Sequence, residues 1–185
     1  MTMRQTIEPA GTPAGAGEEP TDLRAEPRTG IRPLLDLAAI DRAARLHGPE
    51  VIERFIPHRG AMRLIDSVVW ENPGYTEGIG LKHISAREFW VPGHFPGQPM
   101  MPGVLMIEAG AQMACYLYNR RRPEPKVVAF LRIQNASFRS MVKPGDDLLV
   151  LCKEVKFSRR RFISDIQGMV GDRITFDARI TGMQL

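Results

Sequence analysis

The stretch PGHFPGQPMMPGVLMIEAGAQMACYLY, residues 92–118, decides what this chain can fold into. Its second half, from Gly103 to Tyr118, carries one charged residue, Glu108. A helix that is apolar on every side is a buried helix, and Pro102 suits the start of one because its missing N–H costs nothing there. We therefore predict one long helix that a β-sheet wraps.

Two ionisable side chains stand out in this stretch. Burial of Glu108 should favour its neutral form and raise its pKa, and Gln112, one helical turn further on, is placed to hydrogen-bond its carboxyl group. His94 is the only ionisable residue in segment 92–103, where seven of twelve residues are proline or glycine. The alternative for Glu108 is a satisfied buried pair with Gln112 or a subunit contact, and for His94 a structural histidine.

The start of the predicted helix adds a third chemical element. The first N–H groups of a helix have no partner within it, and here they lie around Gly103 and Val104. Such groups stabilise a carbonyl oxygen that gains negative charge. A base (His94), an acid (Glu108) and these donors together favour β-elimination of water from a 3-hydroxyacyl thioester.

The rest of the chain divides into three parts. Residues 1–33 are rich in Pro, Gly, Ala, Thr and Glu, which predicts a mobile tail. The apolar spacing that begins at Leu34 predicts an amphipathic helix within 34–49, and residues 50–185 should form the compact domain. One long helix among about six antiparallel strands makes an α+β domain. The strands are expected at 61–70, 75–84, 126–134, 148–157, 161–170 and 173–183.

Composition narrows the function further. No apolar run approaches 18 residues and the start lacks a signal-peptide core, so we expect neither membrane insertion nor export. Cys115 and Cys152 look like core thiols, which fits the cytoplasm. The histidines show no metal-ligand spacing, and we expect no metal and no nucleic-acid partner. His58 is interpreted as structural, and His47 and His83 as surface or turn residues.

Three ordered blocks carry a family resemblance: IPHRGAMRLIDSV (56–68), HFPGQPMMPGVLMIEAGAQ (94–112) and FLRIQNASFRSMVKPGDDL (130–148). They resemble the (3R)-hydroxyacyl-[acyl-carrier-protein] dehydratases of the FabZ type, and the likeness spans roughly residues 50–183. The resemblance implies the hotdog fold, in which a curled antiparallel sheet surrounds the central helix. It also implies a homodimer, alone or as a trimer of dimers, whose active sites each take the histidine from one chain and the acid from the other.

By the same resemblance, the substrate arrives on the phosphopantetheine of an acyl carrier protein, and no other cofactor is expected. His94 would be the base, Glu108 the acid at the hydroxyl and Gln112 the residue that orients Glu108, while the N–H groups at Gly103 and Val104 would bind the thioester carbonyl. Candidates for the acyl tunnel, with plain core packing as the alternative, are Phe95, Met100, Met101 and Met106. Candidates for docking the acidic carrier are Arg120, Arg121, Arg122, Arg159, Arg160 and Arg161.

Some positions depart from the family pattern. Gly60-Ala61 replace an aromatic–proline pair, and Gly110 replaces a bulkier residue, which would widen the cavity. Leu131-Arg132 are larger than usual and would narrow or reroute the tunnel. These departures leave the acyl chain and the pathway open. Two other functions also stay open, an acyl-thioester hydrolase on the same fold and a non-catalytic acyl-binding module.

Overall fold

The computed structural model describes residues 32–185, so nearly all of the predicted tail, 1–33, lies outside the described residues. The described part is one compact unit, Arg32–Leu185. Its helices are α1 (Pro49–Phe55) and α2 (Gly103–Arg120), with a short 3-10 helix at Gly60–Met62. Its strands are β1 (Ser67–Glu71), β2 (Glu77–His83), β3 (Val128–Phe138), β4 (Asp147–Phe157), β5 (Arg161–Val170) and β6 (Arg173–Gln184).

The six strands form one antiparallel sheet in the order β1-β2-β4-β5-β6-β3. The predicted hotdog architecture is confirmed, including the helix that begins at Gly103. The strands from β4 onward start and stop within a residue of prediction, because tight turns at Ser158 and Gly171 separate clear apolar runs. Gly171 has a positive φ of 59°, which favours glycine in that turn.

Helix α2 packs closely on the inner face of the sheet, and its buried side chains form the main core. Gly110 has no room for a side chain, since a Cβ there would lie 2.4 Å from Cδ1 of Ile166 on β5. A Cβ at Gly78 on β2 would likewise lie 2.6 Å from Cε of Met113. Glycine at these positions brings helix and strands together, so the expectation that Gly110 widens a cavity is wrong.

The amphipathic helix predicted within 34–49 does not form, and α1 begins only at Pro49. Aspartate side chains compete for the backbone, since Asp36 accepts the N–H of Ala38 at 3.0 Å and Asp41 that of Ala43 at 2.9 Å. Such local bonds favour turns over helix. The apolar pattern is still satisfied, because this extended segment covers the outer face of the sheet. The packed residues of the segment are Leu34, Leu35, Leu37 and Ile40.

Strand β3 is one of the two edge strands of the sheet, and unlike β1 it is exposed over most of its length. Its large apolar side chains remain open to solvent, with Ile133 48% and Phe138 53% exposed. Val104, in the first turn of α2, is 68% exposed. An apolar, unpaired sheet edge is a surface suited to pairing with another strand.

Candidate active site

His94 is held by its own loop. Its Nδ1 lies 2.9 Å from the carbonyl oxygen of Met100, and the N–H of Met100 donates back to the His94 carbonyl at 2.8 Å. A carbonyl oxygen only accepts, so Nδ1 carries a proton, and in the neutral imidazole Nε2 has the free lone pair. The imidazole is therefore set up as a base at Nε2. Phe95 stacks on its ring with centroids 4.1 Å apart.

His94 faces an open cavity of about 530 Å³, which we call the His94 cavity. The start of α2 lines the same cavity through Gly103 and Val104, as the sequence predicted. A Cβ at Gly103 would lie 2.6 Å from the ring of Phe138, so glycine is needed where this ring packs on the first helical turn. Phe138 was not among the predicted site residues, and its closeness to Gly103 arises only in the folded chain.

The predicted tunnel residues divide into two groups. Met100, Met101 and Met106 line the His94 cavity, and Met101 and Met106 are each only 3% exposed. Phe95 does not line it; its side chain is half exposed beside His94. Three of the four tunnel candidates therefore lie at the His94 cavity.

Glu108 sits one helical turn after Val104 but lines a different pocket, of about 50 Å³, which we call the Glu108 pocket. Gln112 donates to Oε1 of Glu108 at 3.0 Å and to the carbonyl of Met62 at 2.8 Å, while its own oxygen accepts the N–H of Leu64 at 2.8 Å. Gln112 is fully buried, and both its amide nitrogen and its amide oxygen have hydrogen-bond partners, as expected for a buried polar side chain. The predicted pair of Glu108 and Gln112 is present.

His58 is the site residue that sequence reasoning missed. Its Nε2 lies 3.3 Å from Oε1 of Glu108, and it lines the Glu108 pocket. The sequence does show this histidine, in the block IPHRGAMRLIDSV (56–68). Only the folded loop between α1 and the 3-10 helix, however, brings it to Glu108. The sequence analysis interpreted His58 as structural, whereas its position beside Glu108 makes it a candidate site residue.

The predicted rise in the pKa of Glu108 is also wrong for this protomer. Burial raises that pKa, but the hydrogen bonds from His58 and Gln112 and the positive charge of His58 outweigh it, so the pKa lies below its usual value. Burial and the nearby charge of Glu108 raise the pKa of Cys115, in the same pocket, to about 12. The thiol therefore stays neutral across the physiological range.

The arginines of the first cluster, Arg120 to Arg122, bind partners within the chain. Arg120 pairs with Glu71 at 2.7 Å, Arg121 pairs with Glu154, and Arg122 donates to the hydroxyl of Tyr118. Each guanidinium also lies over an aromatic ring, at 3.9 Å from the Phe157 centroid for Arg121, 4.1 Å from that of Tyr118 for Arg122 and 4.6 Å from that of Tyr75 for Arg120. These contacts close the end of α2, which argues against carrier docking there.

The second cluster is different. Arg159, Arg160 and Arg161 are exposed and form no ion pair with any residue of 32–185. Arg160 and Arg161 line an open groove together with Lys156. This second cluster is therefore free to meet an acidic surface.

The other departures from the family pattern do not touch either pocket. Gly60 has a positive φ of 56° at the start of the 3-10 helix, a conformation that favours glycine. Leu131 and Arg132 are exposed on β3 and line neither the His94 cavity nor the Glu108 pocket. Neither narrows a tunnel within this protomer.

Across residues 32–185, no helix combines the length and apolar character needed to cross a bilayer. Within the same range, no three or more His, Cys, Asp or Glu side chains group in a way that could hold a metal ion.

Comparison with solved structures agrees with the fold. A chain of the dehydratase heterocomplex ApeI:P from Xenorhabdus doucetiae matches with a TM-score of 0.64 at 15% identity, over 72% of this chain and 90% of that chain. A sigma28-regulated virulence protein from Campylobacter jejuni matches with a TM-score of 0.58 at 12% identity, over 76% and 94% of the two chains. At such identities the shared property is the fold.

Sequence comparison is more specific. The 3-hydroxyacyl-[acyl-carrier-protein] dehydratase FabZ of Desulfotalea psychrophila is 35% identical over 128 residues, which are 68% of this chain and 85% of that protein. The FabZ of Geotalea uraniireducens is 42% identical over 112 residues, 59% of this chain and 76% of that protein. The model of the FabA-like domain matches residues 56–179, which include His58, His94 and Glu108. The chain thus belongs to the family of FabA-like domains.

Proposed function

We propose that this chain is a 3-hydroxyacyl-[acyl-carrier-protein] dehydratase of fatty-acid or related acyl biosynthesis. The observation that carries the proposal is that His94, with Nε2 free, lies at the same cavity as the first N–H groups of α2. Glu108 follows one helical turn further along that helix. The FabZ relatives have this activity in their names. The family and the chemistry of the side chains therefore point to the same reaction.

The proposed reaction consists of two proton transfers and the cleavage of one C–O bond. The N–H groups at Gly103 and Val104 bind the thioester carbonyl, which acidifies the neighbouring α carbon. His94 takes the α proton at Nε2, and the electron pair of that C–H bond becomes the new double bond. Glu108 gives a proton to the β hydroxyl, which leaves as water with the electrons of the C–O bond. The atoms and electrons of this reaction balance without a redox or group-transfer cofactor.

A second copy of the chain is part of the proposal, because His94 and Glu108 open into separate pockets of one protomer. The Glu108 pocket lies at the start of β3, beside Val128 and Phe130, and the His94 cavity lies at its end, beside Phe138. A two-fold axis would pair two β3 edges antiparallel, so the start of one strand meets the end of the other. That arrangement joins Glu108 to His94 of the partner subunit and covers the exposed apolar edge.

The size of the Glu108 pocket fits this arrangement. A volume of about 50 Å³ holds a few water molecules. Ligand pockets are larger, on the order of 300 Å³ or more. The acyl chain therefore needs space that one protomer does not provide, and we place its tunnel between the two chains, lined in part by Met101 and Met106.

The first test is the product formed by the wild-type protein. With a 3-hydroxyacyl carrier thioester, we expect ultraviolet absorbance of a conjugated enoyl thioester to rise, while a thiol reagent detects no thiol beyond the enzyme-free rate. Elimination keeps the thioester bond, whereas hydrolysis breaks it. Thiol release that matches or exceeds enoyl formation would identify a hydrolase instead, and tight binding without either signal would identify a binding module.

Carrier docking is proposed at the second arginine cluster, Arg159 to Arg161. These residues lie at the β4–β5 hairpin, at the same end of the sheet as the Glu108 pocket, since Phe162 lines that pocket and pairs with neighbouring strands there. In the proposed dimer this end also carries the partner's His94 cavity. A basic rim beside the shared site suits an acidic carrier protein.

The substitution Arg160→Glu is expected to raise KM for carrier-linked substrate about tenfold at low salt, because it replaces attraction by repulsion at the rim. KM for a small thioester mimic should stay unchanged. The matched control is Arg42→Glu, which alters net charge equally but lies on the outer segment near Asp172. Equal effects of the two variants, or equal effects on both substrates, would count against docking at this cluster.

We also place the protein in the cytoplasm as part of this proposal. Cys115 and Cys152 are both free, buried thiols in the structure. Burial raises the pKa of each thiol to about 12, which keeps them protonated and unreactive. Unbridged cysteines are what a reducing compartment maintains.

A further inference from the structure

We infer that His58 is the proton partner of Glu108, so that the acid of the site is a pair of side chains that share one proton. This inference rests on the proposed function and assigns a second histidine to the same site. His58 acts through Glu108 and is therefore a positioning residue rather than a catalytic one.

The first support is the geometry of the pair. Nε2 of His58 and Nε2 of Gln112 both approach Oε1 of Glu108, at 3.3 and 3.0 Å. Oε2 of Glu108 has no hydrogen-bond partner among the described residues. One oxygen of the carboxyl group is thus held by the protein, and the other is left to meet the hydroxyl of the substrate.

The second support is an unsatisfied atom. Nδ1 of His58 is buried and has no hydrogen-bond partner within residues 32–185. A buried ring nitrogen without a partner is costly, and this histidine is retained at that cost. Here the single partner of the imidazole is Glu108, so the protonation of each group depends on the other.

The third support is the isolation of the pair. The residues that line the Glu108 pocket include three titratable side chains, His58, Glu108 and Cys115, and the thiol stays neutral. The lining residues from β3, β5 and β6 carry no ionisable group. On the neighbouring loop, Arg59 and Arg63 are both paired with Glu53. His58 is therefore the group placed to hand a proton to Glu108.

The pair solves a chemical problem. The surroundings of Glu108 stabilise its carboxylate, yet the reaction needs a proton at this residue. Because His58 and Glu108 share one proton, the pair can still supply that proton when the carboxylate form of Glu108 is favoured. During turnover the proton passes from the pair to the leaving hydroxyl. Afterwards the pair takes a proton from solvent while His94 releases the one it accepted.

The test is the substitution His58→Gln, which keeps an N–H donor for Glu108 but holds no exchangeable positive charge. We expect the ratio of its kcat/KM to that of the wild type to fall at least about tenfold between pH 5 and pH 7, because Glu108 alone loses its proton in the carboxyl range. His94 is the same in both proteins, so its contribution cancels from the ratio. A ratio that is constant with pH would reduce His58 to a structural residue and overturn the inference.

The matched control is His83→Gln. His83 also pairs with a carboxylate, Asp147 at 2.8 Å, but both side chains are exposed and outside the two pockets. Its ratio to wild type should not change with pH. A thermal unfolding curve for each variant separates misfolding from loss of the proton.

A second measurement does not depend on activity. In protein labelled with carbon-13 at glutamate carboxyl groups, the Glu108 signal should titrate in two steps in the wild type, as expected for a coupled pair, and in one step in His58→Gln. A single step in both proteins would contradict the inference even if the enzyme is a dehydratase. An inactive wild type with a two-step titration would instead refute the proposed function and leave the proton pair in place.

Discussion

The substitution His94→Ala is expected to lower kcat for dehydration by about 10³-fold, within the range that general acid–base groups contribute. The Nε2 of His94 is the proposed base in the His94 cavity, and alanine leaves only water to take the α proton. KM should change little, since the helix N–H groups that bind the carbonyl remain. Steady-state kinetics on a 3-hydroxyacyl thioester measure both constants.

The fold should survive this change. The His94 side chain is partly exposed, and its ring makes one hydrogen bond, to the carbonyl of Met100. The control His83→Ala removes an exposed imidazole outside the site and should keep full activity. If His94→Ala turns over substrate at the wild-type rate while folded, His94 is not the base and the proposed mechanism is excluded.

Two inactive variants are expected to restore each other. Chains with His94→Ala and chains with Glu108→Ala, refolded together, should regain about a quarter of wild-type activity if two protomers pair symmetrically. Half of the dimers are then mixed, and each mixed dimer has one site with both residues intact. Mixed dimers isolated with two affinity tags should reach about half of the wild-type rate.

The control replaces the second partner by a chain with both substitutions. A mixed dimer of that chain with His94→Ala contains no complete site, so its activity should stay at the level of the single variants. If His94 and Glu108 act within one protomer, the first mixture will remain equally inactive. Size-exclusion chromatography confirms that the tagged species is a dimer.

Much of the fold follows from local sequence patterns. The apolar run after Pro102 gives α2, and alternating apolar residues with tight turns give β4, β5 and β6, because these signals depend on near neighbours. The segment around Asp36 and Asp41 does not follow its apolar spacing. There, side-chain hydrogen bonds to the backbone and packing on a distant sheet face decide the structure.

The site was predictable to a similar extent. His94, Gly103 and Glu108 lie within one continuous stretch, so their chemistry is visible in sequence. The contact of His58 with Glu108 joins residues fifty positions apart through a loop, and periodicity carries no information about it. The sequence also did not show that the arginines after α2 have partners within the chain, because these partners, such as Glu71 and Phe157, come from strands.

Gln112 has a consequence for how relatives of this chain should be judged. Its buried amide fastens the loop at Met62 and Leu64 to α2 and also touches Glu108. A homologue that had lost catalytic activity would still need this glutamine to hold the loop against the helix. The presence of this glutamine in a remote homologue therefore says little about whether that homologue is an enzyme. Loss of the histidine at position 94 or of the glutamate at position 108 would instead indicate an inactive homologue.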